Sequence, residues 1–277
     1  MPLQIPPHAR FWLFYWRSGA SLNLVNEAVL EIFLVVVIGG VVLTVEIGRR
    51  IAIHRPPSTS AGTSTIVTYC FGLMSLLLAF TFYGAASRFD IRRDLIVQEA
   101  NAIGTAYRRM DLLPQEAQPR LKEMLREYVH TRLETYQKIL DPEGFKALLK
   151  QTAALQNEIW QEAVAGGHAT GTPTADLLVL PSLTQMFDLA TTRTAALEAH
   201  PPYTVTILLV LSVLVSSLLA GYELQARGRH SRMYRACYIL VLTTALVVIT
   251  DYEYPRLGFA RINVYDKIIA HALDDMK

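Results

Sequence analysis

Apolar residues gather into four blocks along the chain. The first, EAVLEIFLVVVIGGVVLTVEI, covers residues 27–47. The second, TSTIVTYCFGLMSLLLAFTFYGAAS, covers residues 63–87 and carries no charge. The third, YTVTILLVLSVLVSSLLAGY, covers 203–222. The fourth, ACYILVLTTALVVIT, covers 236–250 and reaches spanning length with Met233, Tyr234 and Tyr252 at its ends. A helix crosses a hydrocarbon core with roughly 20 residues, so four transmembrane helices are predicted.

Between the second and third blocks the pattern turns polar and amphipathic. Ile91, Leu95, Ala102, Ala106 and Met110 keep a helical period that Pro114 ends. A second helix is predicted over residues 120–140. A third begins at Asp141-Pro142, with Asp141 as N-cap and Pro142 in the first turn. The stretch AGGHATGTPT, residues 165–174, reads as a loop. A further helix runs to about Glu198 with an interruption near Pro181, and His200-Pro201-Pro202 breaks the chain before the third crossing. No strand alternation of useful length and no internal repeat is visible. The fold class is therefore an all-α membrane protein with a large helical extramembrane domain between the second and third of four crossings. The segments are 1–26, an interfacial aromatic segment containing FWLFYW; 27–87, a transmembrane hairpin; 88–200, the helical domain; 201–252, a second hairpin; and 253–277, a tail.

The junction LLLAFTFYGAASRFDIRR passes from lipid-compatible residues to Arg88, Asp90, Arg92 and Arg93 without a proline. One helix from about Thr65 to about Leu113 would be on the order of 70 Å long, against a hydrocarbon core of ~30 Å. Such a rod lines a conduit continuous from membrane to water, or acts as a strut that carries the helical domain. Periodicity leaves both open.

Composition narrows the function. Of 277 residues, 52% are hydrophobic and 18% charged, fewer charges than a soluble domain of this length carries. A net charge of +2 gives no reason to expect a nucleic-acid partner. Cys70 and Cys237 both sit in apolar blocks and read as packing residues. The seven histidines have no metal-ligand spacing, and no phosphate loop, nucleophile elbow or carboxylate pair is present. No enzyme, metal or cofactor is expected. A channel, a membrane-anchored helical scaffold or sensor, and a secondary transporter remain, the last disfavoured by the absence of an inverted repeat.

Gly72, Leu76 and Phe80 stand four residues apart on one helix face. In a ring of subunits they would stack as apolar collars of the kind that gate by dewetting; otherwise they pack on neighbouring helices or lipid. Arg88, Arg92 and Glu99 form a charged stripe beyond them, either concentrating ions in a vestibule or pairing structurally. Glu31 is a shallow intramembrane carboxylate. Ser212, Ser216 and Ala220 form a small-residue row suited to close helix packing.

FTFYGAASRFDIRR resembles the bestrophin pattern at the end of the second helix, with Phe80, Ala85, Arg88-Phe89 and Arg92 in the corresponding places. HARFWLFYWRSGASL is similar to that family's aromatic N-terminal segment, HPPY to its Pro-aromatic entry to the third crossing, and YEYPRLG to its Glu-Pro-Gly stretch after the fourth. The resemblance implies a homopentameric ion channel of the cell membrane, of the bacterial inner membrane here, with small inorganic ions and the lipid bilayer as its partners. It implies a pore lined by the second helix, a neck at Gly72, Leu76 and Phe80, a cytoplasmic aperture at Leu177, and a cytoplasmic helical domain. Arginines near the helix ends number seven on the short-loop side and eight on the other, so charge alone does not orient the chain. The acidic cluster of calcium-gated bestrophins has no counterpart in RLGFARINVYDKII, whose one carboxylate is Asp266. A calcium ion takes six or more oxygens, and no calcium site is carried over. Arg256 stands where the family has a phenylalanine.

Overall fold

The structure is a computed structural model, and it describes residues 27–54, 61–139, 141–169, 173–226, 232–256, 262–274 and 276. The aromatic segment FWLFYW lies outside the described residues. The described residues form eight α-helices and one 3-10 turn and contain no strand. The helices are α1 (Glu27–His54), α2 (Ala61–Arg109), α3 (Gln118–Gln137), α4 (Pro142–Ala169), α5 (Pro173–Glu198), α6 (Tyr203–Ala226), α7 (Arg232–Glu253) and α8 (Asn263–Asp274). Four helical stretches are long and apolar enough to cross a membrane: Leu30–His54, Thr65–Leu112, Leu177–Gln225 and Arg232–Glu253. The third contains the predicted 203–222 block as α6.

The chain divides into two compact units. One holds the described residues of 27–90 and 200–256, and the other those of 91–199 and 262–276.

In the first unit, Val37 and Val41 of α1, Met74 of α2, Leu209 and Val213 of α6, and Leu242 and Leu246 of α7 make one apolar core. The tightest approach is between α1 and α6. A methyl group on Gly48 would overlap the Leu218 carbonyl, and one on Gly221 would overlap the Val45 carbonyl. Each glycine thus makes room for the other helix's backbone. Ser216 and Ala220 of the predicted small-residue row are buried, as is Ser217, but the two glycines set the distance. Without a hydrophobic drive between helices in lipid, such close packing is a main source of association. Several hydroxyls of these helices turn onto their own backbones: Thr44 donates to the Gly40 carbonyl at 2.8 Å, Thr81 to Leu77 at 2.8 Å, Thr243 to Ile239 at 2.7 Å. An apolar solvent offers them no partner, so a hydroxyl takes a backbone carbonyl or, as between Ser217 and Tyr238 at 3.4 Å, another hydroxyl.

In the second unit the core is built on period-3.6 stripes. Ile96, Ile103, Ala106 and Met110 pack with Leu121, Leu125, Tyr128 and Val129 of α3, Ile159 of α4, Leu183 and Met186 of α5, and Ile269 of α8. α4 begins at Pro142 as its sequence predicts: Phe145 N–H donates to the Asp141 carbonyl at 2.8 Å, and Pro142 has no donor to lose there.

Two expectations are corrected. Residues 165–169 are helical rather than loop, as are 173–174. Gly166 lies inside the helix at ordinary packing distance from Leu113 and Ala117, not in a turn. Pro181 does not interrupt α5. It sits on the exposed face, while Val179, Ser182, Leu183 and Met186 bury the other. The missing Pro181 N–H costs one helical bond, that to the Leu177 carbonyl, and on the next residue the Leu178 carbonyl accepts from Arg109 Nη1 at 3.0 Å.

Candidate functional site

α2 is one unbroken helix of 49 residues from Ala61 to Arg109, so helical phase can be counted along it. At 100° per residue, Leu76 and Phe80 fall within about 80° of Gly72. The buried residues Val67, Met74 and Ala85 fall about 200–220° from Gly72, on the opposite side. Burial agrees with the count: Met74 is 6% exposed, against 52% for Leu76 and 64% for Phe80. A side chain added at Gly72 would meet no described atom within 4 Å. The face bearing Gly72, Leu76 and Phe80 is therefore left open by the described residues. Tyr69 and Tyr83 extend it, both 73% exposed.

Arg88, Arg92 and Glu99 fall about 160–200° from Gly72, on the inner face. Their partners are internal. Arg88 holds Glu253 at the end of α7 with two nitrogens, Nε at 3.0 Å and Nη2 at 2.6 Å from Oε2. Glu253 is 6% exposed and also meets His200 Nδ1 at 2.8 Å. His200 stacks on Tyr254, and Tyr252 takes the edges of Phe82 and Phe89. The pair thus joins α2, the residues before α6 and the end of α7 within one unit. Arg92 is buried and caps the end of α5, with Nε to Ala196 O and Nη2 to Ala199 O, both 3.0 Å. Cations are favoured at that end of a helix, where carbonyls lack N–H partners.

Glu99 is fully buried between two guanidiniums. Arg132 Nε donates to Oε1 at 2.8 Å, and Arg193 Nη1 to Oε2 at 2.7 Å. Arg193 Nη2 donates to Asp266 Oδ1 at 2.5 Å, which draws α8 into the same network. Arg132 also donates to the Tyr136 hydroxyl and to Ala190 O. The Arg193 guanidinium lies 3.5 Å from the Tyr136 ring centroid, a cation–π contact. Burial opposes the Arg132 charge, but Glu99 outweighs it and holds the guanidinium above its usual range. Burial raises the Tyr136 phenol, which stays neutral. Two cations and two anions close on themselves here, as buried charges must.

Leu177, 71% exposed, is among the residues that line a groove of about 980 Å³ on the helical unit. Gln98, Asn101 and Thr105 of α2 form one wall, α5 the other, and Trp160 of α4 lies beside them. Glu31 is exposed on α1.

The sequence reading did not single out Glu253, Arg132, Arg193, His200 or the pairing of Asp266. For Glu253 the available signal was its place in YEYPRLG, at the end of an apolar helix. Nothing local marks Arg132 as different from the exposed charges around it.

The chain matches the family model of the Bestrophin-like domain over residues 33–264. Among solved structures, a crystal structure of a bacterial bestrophin homologue from Klebsiella pneumoniae is similar at 17% identity and a TM-score of 0.64, covering 88% of this chain and 96% of that one. A single-residue variant of that homologue is similar at 18% identity and a TM-score of 0.63, covering 87% and 98%. No curated protein matches the chain. The helical order, the spans and the match over most of the length agree: the chain belongs to the bestrophin-like family.

Proposed function

We propose that the protein is an ion channel, a homo-oligomer in the cell membrane whose pore is lined by α2 and narrowed at Gly72, Leu76 and Phe80. The observation that carries this reading is the stretch of α2 from Tyr69 to Tyr83, whose exposed face bears Gly72, Leu76 and Phe80 and carries no charge. A helix that packs one side on its own chain and leaves an apolar side open suits the inner ring of a symmetric assembly. An apolar collar there offers an ion no ligand in place of its water, so it resists flow unless wide or wetted. The buried pairs of Arg88, Arg92 and Glu99 support a structural role: they hold α2 to the rest of each unit. Family membership supports ion conduction over enzymatic chemistry. The resemblance in motifs supports a pentamer, a bacterial inner membrane and a cytoplasmic helical domain.

The test is purification in mild detergent, native mass measurement, and ion flux from reconstituted vesicles. A single oligomer with flux above that of empty vesicles is the expected result. An oligomer that passes neither small cations nor small anions would instead make the protein a membrane-anchored scaffold. A monomer as the sole species would remove the ring on which the pore depends.

A further inference from the structure

The groove on the helical unit is lined only by residues between Gln98 and Thr192, and its chemistry is uneven. No lysine or arginine lines it, and Asp188 is its one charged residue. Arg108 of α2 is exposed but is not among the lining residues, and Arg109 is engaged on the Leu178 carbonyl. Among the described residues the Asp188 carboxylate forms no ion pair, and the residue is exposed. A second acceptor comes from the backbone. Pro181 lines the groove and takes away the helical donor of the Leu177 carbonyl on the same side of α5. Trp160 of α4 also lines the groove and is 38% exposed; of the aromatic rings, an indole attracts cations best.

The groove is also long. Leu177, Pro181, Thr184, Asp188 and Thr192 follow one face of α5, within a sector of about 80° at 100° per residue. At 1.5 Å per residue that row runs for about 22 Å. The Leu177 carbonyl and the Asp188 carboxylate stand about 10–15 Å apart along the helix axis. Between them Leu180 and Pro181 offer apolar surface, and Thr184 and Gln185 neutral polar groups. An anion would meet Asp188 with no cation in the lining to balance it. A bare metal ion needs several oxygens gathered at one point, and among the described residues no such cluster exists. An ammonium group carries three donors and no acceptor, which suits a wall of separated acceptors. The lining therefore matches an unbranched chain with ammonium groups at its ends and methylenes between them.

We propose that this groove is a binding site for an extended aliphatic polyamine, with one ammonium on the Asp188 carboxylate, another at the Leu177 carbonyl, and the methylenes along Leu180 and Trp160. The site lies within one helical unit and stands whether or not the protein conducts ions. The experiment is titration calorimetry of the full-length protein in neutral detergent at physiological salt, with spermidine as the probe. Spermidine is expected to bind once per chain. Putrescine, too short to reach both acceptors, should bind more weakly, and magnesium at equal charge should not displace spermidine. Asp188→Asn should weaken spermidine about tenfold or more, the scale of a lost charge-assisted hydrogen bond, and Asp188→Glu should restore it. Trp160→Leu should weaken it about two- to fivefold. Because Asp188 is exposed, the Asn and Glu variants are expected to keep the wild-type oligomeric mass, and that mass is checked first. A wild type that does not bind spermidine overturns the proposal, as does an Asp188→Asn variant that binds it unchanged. Magnesium competing on equal terms would reduce the effect to charge screening and overturn it too. Loss of the oligomer in Asp188→Asn would give the groove to a second copy of the chain instead. None of these results bears on ion flux, so the channel reading stands or falls separately.

Discussion

Arg88 and Glu253 lie 165 residues apart in sequence and meet through two guanidinium nitrogens, the closest contact being 2.6 Å. Glu253 accepts from both sides, since His200 reaches its other oxygen. Glu253→Gln keeps the shape and removes the charge. It should lower stability by about 1–3 kcal/mol, the usual cost of a buried polar group left without its partner. Arg88→Lys should not restore the loss, because one ammonium cannot replace the planar two-nitrogen contact. Thermal unfolding in detergent, followed by the loss of oligomer on size exclusion, measures both.

Glu99 carries a larger share. Glu99→Gln leaves Arg132 and Arg193 buried with one carboxylate, Asp266, between them. A loss of about 3–5 kcal/mol is expected for a broken buried pair. Asp266→Asn, at a half-buried position, should cost less. The same melting assay ranks the two, and equal losses would contradict the network as described.

The crossing of α1 and α6 gives a contrast between glycines. Gly221→Ala and Gly48→Ala each drive a methyl into a backbone carbonyl and should destabilise by about 1–3 kcal/mol or prevent folding. Gly39→Ala on the same α1 meets no described atom within 4 Å. It should be neutral, or stabilise by about 0.5–1 kcal/mol through lower backbone freedom. Yield of folded protein and melting temperature report the difference.

At the proposed neck, Phe80→Ala should raise ion flux in vesicles, and Leu76→Ala should raise it less. Leu77→Ala should leave flux near wild type while lowering stability, since Leu77 packs on the core of Met74, Leu242 and Leu246. Matched oligomeric mass is the control. Leu77→Ala raising flux as much as Phe80→Ala would mean that the open face of α2 is not the conducting one.

Sidedness is testable by thiol labelling. Glu143 is a good reporter, its side chain 89% exposed. Glu143→Cys should resist an impermeant reagent applied to intact cells, whereas Ser60→Cys should react. The reverse pattern would put the helical unit outside and the arginine-rich short loops inside.

The fold was largely legible in the sequence, because the spans are read from run length and α2's continuity from the missing proline between Pro57 and Pro114. The misread segments share one cause. Gly166 and Pro181 carry strong local signals for a break, yet the helices run through both: Gly166 packs beside Leu113, and Pro181 sits on an exposed face where its missing N–H costs one bond. At the site, phase was readable from numbering alone. Counting from Gly72 sets Arg88, Arg92 and Glu99 on the far side of α2 before any partner is known. The partners themselves were not readable. Glu253, Arg132 and Arg193 lie 33 to 165 residues from the groups they hold, and no local pattern encodes such a distance.

The glycine crossing also constrains how the chain is made. Gly48 and Gly221 touch each other's helices across about 170 residues, so α1 enters the bilayer long before α6 exists. At roughly 5–20 residues per second, it waits about 10–30 seconds with its narrow face bare. During that interval the helical unit has to emerge and stay clear of that face. A newborn α1 thus spends that interval against lipid or the insertion machinery, which has to yield the Gly48 face to α6.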